Sequence, residues 1–333
     1  MESAYQADDH RYDGRMNYRR AGKSGILLPE IALGLWHHFG RYDDFDTCKK
    51  ILHAAFDHGI THFDLANNYG PPNGSAEETF GKVMKSSFLP YRNELFLSTK
   101  AGHEMWPGPY GEWGSRKNLM NSLDASLKRM NVDYVDLFYS HRYDPVTPLE
   151  ETMQTLVDVI GHQKALYAGI SKYPAAVAES AFRYLKVRNV SCLAYQGRYN
   201  MLVREPEQDG ILQLTKDYGV GFIAFSPLAQ GLLTDKYIDG IIPETSRMAK
   251  GVFLKKEQLT DELLKKLRQL SALAADRGQS LAEMALSWLL KDEKVCSVII
   301  GAGSVEQLKK NINAIRHAPF TEEELSMITS SPV

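Results

Sequence analysis

The chain is poor in cysteine: only Cys48, Cys192 and Cys296 occur, and they stand far apart. There is no Cys-x-x-Cys pair and no Cys/His cluster at zinc-ligand spacing, which argues against a zinc ribbon, a dithiol redox motif or a disulfide framework. Isolated thiols fit a reducing cytoplasm. Also missing is any apolar run of the roughly 18–20 residues that a spanning helix needs. The stretch Met1 to Arg15 is polar and mixed in charge, without the apolar centre of a secretory signal. A cytoplasmic protein without a membrane span is expected. An excess of one charge is absent too: the formal net charge is -2, so no global field favours nucleic acid or an anionic membrane. What is present is ordinary for a folded protein of 333 residues, with 44% hydrophobic and 24% charged residues.

The chain alternates short β-rich apolar runs with longer stretches of helical periodicity. A small hairpin is expected from Tyr18 to about Leu28, turning at Lys23-Ser24-Gly25. Barrel strands follow at Ile31–Gly34, Ile60–Leu65, Leu95–Thr99, Tyr134–Tyr139, Ala165–Ile170, Val190–Tyr195, Gly221–Phe225 and Ser297–Ile300. Between them the periodicity predicts helices, including Asp46–His58, Ser115–Met130, one opening at Thr147-Pro148 with Pro at its first position, and a single one over Pro206–Tyr218. Further helices are expected near Thr260–Arg277, Leu281–Lys291, Ser304–Ile315 and from Thr321. Eight β-then-α units imply parallel strands with right-handed crossovers. A doubly wound sheet also fits that alternation. The unbroken run of units, with no Gly-x-Gly-x-x-Gly after the first strand, favours a (β/α)8 TIM barrel with an N-terminal hairpin and extra C-terminal helices. Residues 1–16 are read as a polar arm that a neighbouring molecule could order, and 17–333 as one barrel domain.

In such a barrel, chemistry sits at the C-terminal ends of the strands. The second strand ends in Asp64-Leu65-Ala66-Asn67-Asn68-Tyr69, the third in Ser98-Thr99-Lys100, the fourth in Ser140-His141-Arg142. Taken singly, each has a plain structural role: Asp64 capping a turn, Tyr69 packing, Lys100 pairing with Asp64, His141 bonding a carbonyl. Together on neighbouring strand ends they suit general acid catalysis. A nearby ammonium lowers a phenol's pKa from about 10, so Lys100, held by Asp64, tunes Tyr69 to protonate a carbonyl oxygen. His141 donates a second hydrogen bond to that oxygen. No side chain supplies hydride, so a nicotinamide is implied.

This tetrad resembles that of the aldo-keto reductase superfamily, and the resemblance runs from about Tyr18 to the last helix. Longer stretches make it more specific: Gly34-Leu35-Trp36, Phe63 through Pro72, Met105 through Gly111, Phe225-Ser226-Pro227-Leu228-Ala229-Gln230-Gly231-Leu232-Leu233-Thr234 and Ile299-Ile300-Gly301-Ala302. They are similar to the bacterial L-glyceraldehyde 3-phosphate reductase group, which is itself similar to potassium-channel β-subunits. The resemblance implies Tyr69 as proton donor, with Asp64, Lys100 and His141 in support. It also implies that Ser171 and Gln196 hold the nicotinamide carboxamide, and that Tyr199 stacks on the ring. Lys172 stands where the family often has Asn. Ser226, Leu228, Gln230 and Gly231 would wrap the pyrophosphate, with Lys236 and Arg247 as cationic contacts. Gly301, Gly303, Gln307 and Asn311 would hold the adenosine end at a helix N-terminus, and Trp36 would line both cofactor and substrate. Gly303 replaces a usual Ser, Ser304 a frequent Arg and Lys310 a usual Glu, so NADPH is implied while NADH stays open.

For substrate, Trp36, Tyr69, Trp106, His141 and Arg142, with Arg198, would form the pocket; structural roles remain open for Trp36, Trp106 and both arginines. Small aldehydes are expected: L-glyceraldehyde 3-phosphate, methylglyoxal or similar dicarbonyls. The alternative is a cofactor-binding regulatory subunit like the channel β-subunits, with low turnover. His141 weighs against it, because those subunits commonly carry Asn there. A homo-oligomer is compatible with the family. No metal is expected.

Overall fold

The computed structural model describes residues 5–244, 246–251, 254–316 and 318–329. An antiparallel hairpin comes first, β1 (Tyr18–Arg20) with β2 (Leu27–Pro29). Eight parallel strands then close a barrel: β3 (Ile31–Gly34), β4 (His62–Asp64), β5 (Phe96–Ala101), β6 (Val135–Ser140), β7 (Ala165–Ser171), β8 (Cys192–Arg198), β9 (Gly221–Phe225) and β10 (Val295–Ile300), which pairs back onto β3. Each strand lies beside its chain neighbour, as right-handed β-α-β crossovers require. Closure settles the choice between barrel and open sheet.

Side-chain alternation sorts residues into two cores. Ala32, Phe96, Leu137, Tyr139, Ile223 and Ile299 belong to a lumen cluster. Their neighbours, including Phe63, Phe138, Ile170 and Phe222, belong to the larger core shared with the helices. The hairpin completes the lumen cluster with Ala21 and Leu28, both fully buried. Its tip is held by the Lys23 amide donating to the Gly219 carbonyl (2.8 Å). Gly22 is required there: at φ +55° it approaches so closely that a Cβ would lie 2.0 Å from the Gly219 oxygen. Arg19 adds bonds to the carbonyls of Leu290, Asp292 and Val295.

Local signals explain most helix boundaries. Asp44 caps Phe45–Asp57 by accepting from the Thr47 amide (2.8 Å), and Cys48, Ile51, Leu52, Ala55 and Phe56 form the buried stripe. Ser115 caps Arg116–Met130, which ends on left-handed Asn131. Two expectations change. The helix after β6 is Leu149–Gly161, so Pro148 is its N-cap rather than its first helical residue. Asp144 instead bonds the amides of Val146 and Thr147 just upstream. The single helix over 206–218 is two, Glu205–Gln208 and Ile211–Tyr218, broken at left-handed Gly210.

The described part of the arm packs on the rest of the chain. Tyr5 stacks on His53 (centroids 3.7 Å apart) and donates to Asp57 (2.7 Å), while Arg11 pairs with Glu94 (2.8 Å). No helix among the described residues is long and apolar enough to cross a membrane.

Helix Ser75–Val83, which follows the loop carrying Tyr69, is locked beside β5 by Glu77. This fully buried carboxylate accepts from Thr99 Oγ1 (2.6 Å) and from Arg129 Nε (2.7 Å). Removing one partner of such a pair strands a buried charge and destabilises by about 3–5 kcal/mol. Arg129→Met is expected to show that loss in urea denaturation, and Glu77→Gln with Arg129→Met to regain part of it. A loss below about 1 kcal/mol in the single variant would contradict the role given to this pair.

Candidate active site

The functional residues meet where β4, β5 and β6 end. In register, Asp64 lies beside Ser98, and Lys100 beside Tyr139. Asp64, Ser98 and Lys100 sit on the lumen side above the apolar cluster, which turns the mouth polar. Lys100 is completely buried, and its Nζ donates to Asp64 Oδ2 (2.5 Å), the Leu65 carbonyl (2.7 Å) and Tyr69 Oη (3.3 Å). An ammonium has three hydrogens, and these contacts use all of them. Tyr69 Oη is therefore an acceptor toward Lys100, so its own hydrogen is left to point elsewhere. Asp64 is equally engaged: Oδ1 accepts from Ser98 Oγ (2.8 Å) and Gln196 Nε2 (3.0 Å). Behind Ser98, His62 Nε2 lies 2.9 Å from the same hydroxyl.

Electrostatics depart from one expectation. Tyr69 is not brought down: burial first, then the Asp64 charge, push its hydroxyl well above the ordinary phenol value. Lys100 is itself lowered, by burial foremost, against the pull of Asp64. The carboxylate lies nearer the ammonium than the phenol does, so the cation is largely spent on it. Tyr69 is thus held fully protonated, and the ammonium's remaining use is to stabilise charge that forms on Oη only after the proton has left. Burial also holds His141 well below the usual imidazole range, helped by Lys172, Lys100, His103 and Arg142. It is neutral and can donate one N–H. Its ring meets Tyr69 edge to face at 6.0 Å.

Around this centre the other expected residues separate. Trp36 lies at the rim, its ring 6.4 Å from that of Tyr69. Ser171 and Gln196 are register partners on β7 and β8. Trp106 is half-buried in the loop between β5 and its helix, which closes where Met105 N bonds Gly111 O (2.9 Å) and Trp113 N bonds Gly102 O (3.0 Å). Arg142 is committed to that loop: it pairs with Glu112, donates to Gly102 O (3.1 Å) and lies over the Trp113 ring at 3.7 Å. Arg198 is exposed at the end of β8.

Tyr199 does not face the mouth. Gln196 points into the lumen, so an odd number of residues further along the strand direction leads outward. Tyr199 is buried against Trp288 (5.2 Å) and Phe222 (6.0 Å), with its hydroxyl on Glu207 (2.5 Å). The aromatic at the mouth is instead Phe225, half-buried and two residues past lumen-facing Ile223. Lys172 Nζ lies 5.9 Å from its ring centre. Counting side-chain parity along β9 would have found it.

Several features suit a dinucleotide. Ser171 Oγ is buried with no hydrogen-bond partner beside Gln196, an arrangement that matches the donor and acceptor of a carboxamide. After β9, Ser226 (φ +53°), Ala229 (+47°), Gln230 (+61°) and Gly231 (+104°) hold left-handed backbone. For the non-glycine residues this strain is about 1–2 kcal/mol each, and such turns form anion-binding nests of amides. Leu228 lies within this turn, and Lys236 is exposed just beyond it. Arg247 opens the short helix Arg247–Lys250, and its side chain lies outside the described residues. Gly301 and Gly303 precede the helix Val305–Ile312, where Ser304 Oγ caps the Gln307 amide and Gln307 Oε1 accepts from the Gly303 amide (2.9 Å). A Cβ at Gly303 would lie 3.3 Å from the ring of His38, a tight contact. Asn311 Nδ2 is buried without a partner, whereas Lys310 is tied to Glu306 on the surface. Among the described residues no cluster of His, Cys, Asp or Glu could hold a metal ion.

A barrel whose mouth combines a protonated phenol, a buried ammonium and a turn of left-handed residues suits an oxidoreductase. Residues 30–331 match the Aldo/keto reductase family, and the chain belongs to it. It is 52% identical over 326 residues to the L-glyceraldehyde 3-phosphate reductase of Escherichia coli (strain K12), covering 97% of this chain and 94% of that protein. It is 36% identical over 310 residues to a probable voltage-gated potassium channel subunit beta of Arabidopsis thaliana, covering 92% and 93%. Among solved structures it resembles the aldo-keto reductase AKR11C1 from Bacillus halodurans in its holo form. That match has a TM-score of 0.75 and 25% identity, and covers 96% of this chain and 97% of that one.

The buried neutral imidazoles set a pH dependence. His62 is brought down to about 4, by burial first, and His141 lies well below 6.5. Between those values and about 6.5 the unfolded chain binds more protons, so stability is full above about pH 6.5 and falls as pH drops through that window. Each group contributes up to roughly 1.4 kcal/mol per pH unit. Denaturation midpoints are expected to decline from pH 6.5 to 5, with the His62 and His141 resonances still those of neutral imidazole at pH 5.5. A charged His141 at that pH would contradict the description of the site.

Proposed function

We propose that the chain reduces small aldehydes with NADPH, and that L-glyceraldehyde 3-phosphate, methylglyoxal and similar dicarbonyls are its substrate class. The carrying observation is the hydrogen-bond count at Lys100: three donors on three acceptors, with Tyr69 Oη as one of them. The phenol hydrogen is then free to meet a carbonyl oxygen placed between Tyr69 and His141. A bound nicotinamide supplies the hydride that no side chain can. Ser171 and Gln196 would orient its carboxamide, Phe225 would cover its ring, and the turn from Ser226 to Gly231 would take the pyrophosphate.

Within that arrangement Tyr69 donates its proton to the oxygen as negative charge forms there. An alkoxide is a far stronger base than a phenolate, so the transfer runs downhill even from a phenol of raised pKa. Lys100 meets the phenolate charge from 3.3 Å, and the N–H of His141 shares the load on the oxygen. Asp64 keeps the ammonium charged and aimed, and Ser98 and Gln196 hold Asp64. Trp36 and Trp106 would wall a pocket for small substrates. The similarity to the Escherichia coli reductase supports the triose phosphate, and the cationic residues at the mouth suit an anionic substrate.

Likeness to channel β-subunits supports a second reading, a cofactor-binding subunit of low turnover. Fluorescence titration and single-turnover oxidation separate the two. Wild type is expected to oxidise bound NADPH when a small aldehyde is added. Tyr69→Phe should bind NADPH within a few-fold of wild type and lose about 10²–10⁴-fold in the rate. Tight binding with negligible oxidation by wild type would favour the regulatory reading. Turnover of bulky hydrophobic ketones alone would overturn the substrate class.

A further inference from the structure

Lys172 is a cation at the mouth that the reaction above does not use. It follows β7, its amide bonded to the Gln196 carbonyl (3.2 Å), and its backbone is left-handed at φ +56°. That conformation is uncommon for a residue with a long side chain, and strained residues of this kind gather at functional sites. Lys172 Nζ comes to 2.9 Å from His103 Nε2 and lies over the Phe225 ring. Burial of its ring, then the charges of Lys172, Arg142 and Lys100, push His103 down to about 3. It is therefore neutral, and accepts a hydrogen bond from the ammonium instead of repelling it.

The three nearby cations differ in their partners. Lys100 is paired with Asp64, and Arg142 with Glu112. Among the described residues no carboxylate lies within ion-pairing distance of Lys172. The residue is exposed at the rim, and the loss of part of its hydration, then the like charges of Lys100 and Arg142, bring its ammonium down to about 8, so it stays largely charged at neutral pH. The site thus holds a positioned, unneutralised charge beside the reacting centre. One imidazole separates the two: the His103 ring packs edge-on against His141 at 4.4 Å, and the ammonium sits 2.9 Å beyond it. A substrate whose carbonyl lies on His141 would carry an anionic group a few atoms away toward this ammonium.

We propose that Lys172, propped by His103, binds the anionic end of the substrate, a phosphate or carboxylate carried a few atoms from the aldehyde. This deepens the reductase reading and rests on it for the position of the carbonyl. An ammonium suits the role as a point charge that accepts either anion. The selectivity it confers is for charged over neutral aldehydes of the same size.

The test compares wild type with Lys172→Asn, which removes the charge while tolerating left-handed backbone, and with Lys172→Arg, which keeps the charge. Three quantities are measured: kcat/KM for glyceraldehyde 3-phosphate and for glyceraldehyde, calorimetric affinity for glycerol 3-phosphate and for glycerate, and NADPH affinity. In Lys172→Asn the preference for the phosphorylated aldehyde should fall on the order of 10- to 100-fold, with a parallel loss of glycerol 3-phosphate affinity. Lys172→Arg should recover most of both. Glycerate binding that falls alongside would make the subsite general for anions, and unaffected glycerate binding would make it a phosphate site. Equal losses for both aldehydes with unchanged glycerol 3-phosphate affinity would overturn the proposal. So would a comparable loss of NADPH affinity, which would assign the ammonium to the cofactor. Wild type that reduces neither aldehyde, yet binds glycerol 3-phosphate in a Lys172-dependent way, would sink the reductase reading and leave the anion subsite standing.

Discussion

The structure of the mouth depends on one buried ammonium. Taking Lys100 out of water carries a penalty of several kcal/mol unless its charge and all its hydrogens are met. The barrel meets them with a carboxylate from β4, a carbonyl one residue further on and a phenol from the loop beyond. Those three acceptors must therefore be held in fixed relation, and much of the surrounding structure does that. Ser98 and Gln196 fix Asp64; Glu77, tied to Thr99 and Arg129, clamps the helix that follows Tyr69 against β5. Geometry that keeps a lysine satisfied also turns the tyrosine's hydrogen toward the pocket. Stability and chemistry are here the same constraint.

This view changes what the lysine does. A lowered phenol pKa in the resting site is the simple expectation for an ammonium beside a tyrosine, but burial and the Asp64 charge outweigh it. The resting phenol is a weak acid held protonated. The ammonium matters later, when charge moves to Oη in the half-buried mouth. The same low-polarity surroundings keep His62, His103 and His141 neutral, so these three imidazoles do not change state near neutral pH, whereas Lys172, brought down to about 8, titrates just above it.

The parts of this arrangement legible in the sequence are those fixed by strand ends. Asp64, Lys100 and His141 end neighbouring parallel strands, so adjacency followed from order alone. Closure of the barrel and the hairpin were readable from eight uninterrupted units and a short run with a turn. What was not readable depends on direction or on loops. The resemblance implies Tyr199 on the cofactor, but parity from Gln196 sends it outward among Trp288 and Phe222, and Phe225 takes the mouth. Gly210 split a helix whose apolar periodicity runs on across it. Pro148 became a cap because Asp144 already ordered the preceding turn. Lys172 stood out only as a departure from Asn. Its meeting with His103 joins residues 69 positions apart across two loops, which no local pattern encodes.

The central claim is that Lys100 acts through Tyr69 and not independently of it. A double-mutant cycle on the single-turnover oxidation of bound NADPH by a small aldehyde tests this directly, with NADPH affinity as the control for folding. The predicted result is strong non-additivity: Lys100→Met slows wild type by orders of magnitude but adds little to the loss already present in Tyr69→Phe. Losses that multiply in the double variant, with NADPH still bound, would contradict the account.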